Sequence, residues 1–173
     1  MKHNRSFHVS VIGLLSALTV ALSVLEGWLP AIPIAGARLG LANVTVMYAL
    51  VHLSFPSAAA VTAVKCLFAL FRGTTAFLMS AAGSVLALLM MWGMRKLCKE
   101  RLGAVGLGIV GAVAHNIGQW CVAYAMLGTA MRYYAPILLL LALPAGVITG
   151  LVLHVTTPYF KRIAGEGQSP RRP

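Results

Sequence analysis

Three hydrogen-bonding side chains fall within one helical turn of an otherwise apolar stretch, Gly111-Ala-Val-Ala-His115-Asn116-Ile-Gly118-Gln119. His115 and Gln119 are four apart and Asn116 and Gln119 three apart, so in a helix all three can face one side. Polar groups in such surroundings are costly to desolvate and must find partners. Two readings follow: an interhelical hydrogen-bond clamp worth about 1 kcal/mol per contact, or a cluster that faces a ligand. Lys65 raises the same question in another apolar stretch, with Arg72 seven residues later on the same helical face. Glu26 is its one available counter-ion inside the apolar segments, because the other acids, Glu100 and Glu166, fall in a basic loop and the tail. Lys65 and Glu26 either form a structural charge pair, or Lys65, Arg72 and Arg38 ring a cavity whose positive excess over Glu26 suits an anion.

What is missing narrows the chemistry further. The chain has no aspartate, which removes the ligands for aspartate-bound magnesium diphosphate, for a Walker-type ATPase and for an aspartyl-phosphate pump. His52, His115 and His154 stand in separate segments without an adjacent cysteine or acidic cluster, so no metal site is expected. Cys66 and Cys121 fall in apolar segments and Cys98 in a basic loop, a pattern of reduced thiols rather than a disulfide framework. No catalytic group and no cofactor is expected.

These residues are positioned by a chain that is 60% hydrophobic and only 10% charged, with a mean hydropathy of +0.87. Too little polar surface remains to cover a water-soluble globule. With roughly 20 apolar residues per crossing, 173 residues accommodate about six transmembrane helices in an all-α bundle. The pattern places them at Val9 to Trp28, Leu39 to Ser54, Pro56 to Phe71, Thr75 to Met94, Ala104 to Leu127 and Tyr134 to Thr157. Trp28, Tyr133, Tyr134 and Tyr159 lie at span ends, where amphipathic rings settle at headgroup level. One transmembrane domain over residues 1–164 is followed by a basic tail, 165–173, whose Gly, Ser, Pro and Arg content reads as disordered.

Basic residues are retained on the cytoplasmic side. Lys2, Arg5, Arg95, Lys96, Lys99, Arg101, Lys161, Arg162, Arg171 and Arg172 all fall on one face of a six-span arrangement, against Arg38, Arg72 and Arg132 on the other. Both termini are therefore expected inside. The net charge of +11 is an orientation signal, and nucleic-acid binding would need those groups on one folded surface. The connection Leu29 to Arg38 carries Pro30, Pro33 and Gly36 and reads as a kinked outer loop. In the first span Gly13, Ala17 and Ala21 recur every four residues, a stripe that lets another helix approach, either a partner subunit's or one of the same chain. A solute site is expected in the outer half under the outer loop, contacted by Asn43, Arg72, His115, Asn116 and Gln119.

Pro30-x-x-Pro33 followed by Arg38-Leu-Gly-Leu-Ala-Asn43, His115-Asn116-x-x-Gln119, and Ser80-Ala-Ala-Gly83-Ser84 resemble a bacterial family labelled Gx transporter or heptaprenyl diphosphate synthase component I, over about Val9 to Lys161. The family's pattern has lysine where this chain has Arg38. That family is similar to the substrate-binding S-components of energy-coupling-factor transporters, six-helix proteins of the bacterial cytoplasmic membrane. The resemblance implies an S-component-like bundle, an outward site gated by the first connection, and docking of a transmembrane coupling subunit and ABC-type ATPases through small residues such as Gly13, Ala17 and Ala21. The expected function is capture of a small, anionic or vitamin-like solute, without enzymatic activity. The rival is a non-catalytic accessory subunit of a heptaprenyl diphosphate, quinone or flavin-linked electron-transfer system. An independent proton-coupled carrier has only Glu26 and His115 to draw on.

Overall fold

The computed structural model describes residues 2–28, 40–98 and 101–163. Helix α1 runs Lys2–Trp28 and α2 Asn43–Tyr48, continued by a π-helical turn at Ala49–Leu53; α3 spans Phe55–Leu70, α4 Thr74–Leu97 and α5 Ala104–Leu127. A 3-10 segment, Gly128–Tyr134, then leads into α6, Ala135–Ile163. Arg38, the connection Leu29 to Arg38 and the tail 165–173 lie outside the described residues.

The helix boundaries have local causes. The second helix starts at Asn43 rather than at Leu39, because Gly40 has φ 73°, a left-handed conformation that a helix cannot propagate and that glycine adopts without penalty. Ser54 is extended, and its hydroxyl caps α3 by accepting from the Ser57 amide at 3.3 Å, while Pro56 occupies the first turn, where no amide is needed. Gly73, at φ 108°, closes the turn between α3 and α4.

Short α2 is the central post of the bundle. Val44 through Leu50 are all buried, and α2 touches α1, α3, α4, α5 and α6. A helix surrounded on all sides has no polar face to keep, which accounts for the run Val44-Thr-Val-Met-Tyr48. The core extends from it through Leu15, Val61, Leu88, Met91, Leu107, Ala114 and Leu153. A 2.6 Å bond between the Thr19 and Thr45 hydroxyls links α2 to α1.

Helices α5 and α6 cross backbone against backbone. A Cβ on Gly108 would lie 2.3 Å from the Gly146 carbonyl oxygen, and one on Gly150 2.5 Å from Val105 Cα. Gly146 and Gly150 are four apart on one stripe, the small-residue spacing that lets membrane helices meet backbone to backbone. The Gly13, Ala17 and Ala21 stripe is different. All three are exposed on α1, and nothing lies within 4 Å of a Cβ placed on Gly13, so among the described residues the stripe faces away from the bundle.

Burial is inverted relative to a water-soluble protein. Leu140 is 69% exposed and Phe71 88%, whereas Lys65, Ser84, His115, Asn116, Gln119 and Thr149 are buried. Among the described residues three helical stretches are long and apolar enough to cross a membrane: His8–Trp28, Thr74–Leu97, and Ala104–Tyr159, which holds both α5 and α6. Asn43–Leu53 and Phe55–Leu70 are apolar but shorter. At 1.5 Å per residue they reach only about 16 and 24 Å of a core roughly 30 Å thick. Trp28, Tyr133, Tyr134 and Tyr159 are exposed near helix ends, as interfacial aromatic anchors are.

Candidate functional site

A cavity of about 290 Å³ opens at the end of the bundle that holds the α3–α4 turn. Its walls come from α1 (Ser23, Glu26), Gly40, α3 (Lys65, Phe68), the α3–α4 turn (Arg72), α4 (Thr75, Met79, Ser80) and α5 (His115, Gln119). The stacking of α5 on α4 sets the position of the last two. A Cβ on Gly83 would meet His115 Nδ1 at 2.7 Å, and one on Gly118 the Ala82 carbonyl at 2.6 Å. Both glycines therefore let the imidazole and the next turn of α5 lie flat on α4.

Lys65 is a hub between helices. Its Nζ donates to Asn43 Oδ1 at 2.5 Å and to Ser84 Oγ at 2.9 Å, which ties α3 to the start of α2 and to α4 while the residue also lines the cavity. The Glu26 carboxylate accepts from the Gly40 amide, so the C-terminal end of α1 is fastened to the entry of α2. Ammonium and carboxylate thus stand on the same cavity wall, each bonded to a different group. Lys65 and Arg72 outnumber Glu26 there, and the lining carries a cationic excess.

The polar cluster of α5 divides between two neighbours. His115 and Gln119 line the cavity. Asn116 does not: its Nδ2 donates to the Leu138 carbonyl at 2.9 Å, making it the interhelical clamp to α6. The reason is angular, since adjacent helical residues point about 100° apart, which turns Asn116 toward α6 once His115 faces α4. Asn43 likewise acts behind the wall, by holding Lys65. Arg72 stands on the wall and is exposed, and Arg38 lies outside the described residues. Gln119 Oε1 is buried and has no hydrogen-bond partner among the described residues.

Sequence reasoning missed Ser84, Ser80 and Ser23 as wall or hub residues. Ser80 and Ser84 carried a readable signal, two hydroxyls four apart on one stripe of an apolar helix. Among the described residues no three His, Cys, Asp or Glu side chains converge to hold a metal ion, and Cys66, Cys98 and Cys121 are free thiols.

The clamp reading of Asn116 has a measurable consequence. Asn116→Ala removes the donor to a buried carbonyl and is expected to lower stability by about 1 kcal/mol, while Gln119→Ala leaves it within about 0.5 kcal/mol. Thermal unfolding of the purified variants in detergent checks this; equal losses would put both residues in the same structural role.

The family model for heptaprenyl diphosphate synthase component I matches residues 15–156. The chain belongs to that family. The match takes in α1 from Leu15 through α6 to Thr156, so every described wall of the cavity falls in the region that defines a heptaprenyl diphosphate synthase component I protein. No curated protein and no solved structure matches the chain.

Proposed function

We propose that the protein is the solute-capture subunit of an uptake transporter of the energy-coupling-factor kind, and that it takes a small anionic or vitamin-like solute into the cavity around Lys65, Arg72, His115 and Gln119. The observation that carries this reading is Gln119 Oε1, a buried acceptor without a partner among the described residues, on the wall of a cavity shared with a buried lysine. Leaving such a group unsatisfied costs about 1 to 3 kcal/mol, a penalty that a ligand donor removes. The cationic excess of the wall favours a ligand that also carries negative charge.

In this reading the protein is not an enzyme: without aspartate it has no ligands of the kind that hold magnesium diphosphate. Energy comes from separate ABC-type ATPases through a transmembrane coupling subunit, and the outward-facing Gly13, Ala17 and Ala21 stripe supports docking of that subunit on α1. The chain crosses the bacterial cytoplasmic membrane six times with both termini inside and the cavity outward. With the native cysteines replaced, cysteines introduced at Gly73 and Gly128 should react with an impermeant thiol reagent on intact cells, and one at Gly103 only after lysis. Labelling of Gly103 from outside would reverse the orientation.

Purified protein screened against a metabolite panel by thermal shift tests the capture reading. A solute should stabilise the wild type and stabilise Gln119→Leu markedly less. Equal shifts in both, or none across the panel, would favour the second reading, in which the chain is a non-catalytic membrane accessory subunit of the synthase system for which its family is described.

A further inference from the structure

A second cavity, of about 490 Å³, lies at the opposite end of the bundle. It is formed by the π turn of the second helix (Val51, His52), the end of α4 (Arg95), the start of α5 (Leu102, Ala104, Leu107) and the last turns of α6 (Leu153, His154, Thr157). Two features give it a chemical character. Its polar groups are one-sided: Arg95, His52 and His154 line it, and among the described residues no carboxylate does. Apart from Thr157, its remaining walls are leucine, valine, alanine and proline side chains. Two of the basic groups are also held in place. Arg95 donates to the Leu50 carbonyl, and His52 Nε2 lies 3.4 Å from the Thr157 hydroxyl, which in turn donates to the Leu153 carbonyl at 2.7 Å.

The π turn supplies His52 to the wall and the Leu50 carbonyl to Arg95. It shifts the backbone bonding to i→i+5, as in the 3.1 Å bond from the Ser54 amide to the Ala49 carbonyl, and it carries His52 and the Arg95 acceptor Leu50 to the same end. Such single-turn π segments recur at functional sites. Lys96 and Arg101 add positive charge at this end, and α5 begins there without a side-chain cap.

We infer that this cavity binds the phosphate group of an anionic amphiphile, with the phosphate at Arg95, His52 and His154 and the adjoining chain along Leu107 and Leu153. Guanidinium forks and imidazoles suit phosphate oxygens, and basic pockets between membrane helices are a recurrent headgroup site. The apolar walls distinguish the ligand from a bare ion, since they would gain nothing from a fully hydrated one. This site is separate from the cavity at Lys65 and stands whether or not that one captures a solute.

Native mass spectrometry of the intact protein, incubated with phosphatidylglycerol or with phosphatidylcholine of the same acyl chains, tests it. The wild type should retain phosphatidylglycerol at least roughly fivefold better, the effect of about one well-placed basic group. Arg95→Gln and His154→Glu should each erase the preference. His154 is exposed, so that variant keeps the test decisive if loss of the Arg95 bond to Leu50 unfolds the protein. Lys96→Gln should preserve the preference, because its ammonium sits 4.0 Å over the Trp92 ring and does not line the cavity. Inorganic diphosphate separates the sources: displacement of the lipid with thermal stabilisation points to a soluble phosphate compound, and lipid retention without competition to the headgroup. Either result supports phosphate recognition. Equal retention of both lipids with no effect of diphosphate overturns it, as does equal loss of preference in Lys96→Gln and His154→Glu, which would assign it to diffuse surface charge.

Discussion

Replacing Gly146 with valine is expected to destroy the α5–α6 pairing and with it most of the folded protein. A Cβ at this position lies 2.6 Å from Ile109 Cα and 2.9 Å from the Gly108 carbonyl oxygen. Both are backbone atoms, so no flexible side chain can swing aside and the two helices must separate. Separation also lengthens the Asn116 bond to the Leu138 carbonyl. Overpacking of ordinary cores costs about 1 to 3 kcal/mol, and displacement of a backbone crossing belongs at or above the top of that range. Size-exclusion profiles and thermal unfolding in detergent should show aggregated or strongly destabilised protein, whereas Gly13→Val, which enters open space, should stay within about 0.5 kcal/mol of the wild type. A Gly146→Val protein that melts like the wild type would mean the helices do not approach as closely as described.

Lys65→Met should lower solute affinity by at least roughly 30-fold, the lower bound for truncating one partner of a buried, hydrogen-bonded charge interaction. The argument rests on position: Nζ is anchored by Asn43 Oδ1 and Ser84 Oγ and so is held on the cavity wall. Anchoring limits the loss of side-chain entropy on binding. Lys65→Arg keeps the charge without the geometry, because a planar fork does not reproduce the compact ammonium between two oxygen acceptors; it should bind more weakly than the wild type and better than Lys65→Met. Equilibrium binding of a stabilising solute to the three proteins checks the order. Unchanged affinity in Lys65→Met would make the lysine a purely structural tie between α2, α3 and α4.

The sequence made the membrane character and most of the helix limits legible, because these follow from local signals. Helix α5 begins and ends where it was expected, between Gly103 and Gly128. The second helix starts late because of the backbone angle of Gly40, which cannot be read from its neighbours. Spacing brought His115, Asn116 and Gln119 to one turn but could not say which helix lies on each side, so the separation of Asn116 from the other two required the packing. The partners of Lys65 were hidden for the same reason: Asn43 and Ser84 are 22 and 19 residues away. Glu26 was the reasonable expectation from charge alone, and its bond to the Gly40 amide comes from a backbone group that no charge count reveals. The Gly146 and Gly150 spacing was visible, yet with 17 glycines in the chain only helix rotation decides which of them meet. The histidines of the opposite end, His52 and His154, each read as isolated until the fold brought them to one cavity with Arg95.

The central claim is that the cavity at Lys65 and Gln119 captures a small molecule, and the most direct measurement is to identify what the protein carries when purified gently from its membrane. Small molecules extracted from the wild type, Asn116→Ala, Gln119→Leu and Lys65→Met and quantified by mass spectrometry should include one compound recovered with the wild type and with Asn116→Ala. The same compound should be depleted from Gln119→Leu and absent from Lys65→Met, because only those two substitutions alter the cavity wall. Recovery of the same compounds in the same amounts from the wild type, Gln119→Leu and Lys65→Met would contradict the account.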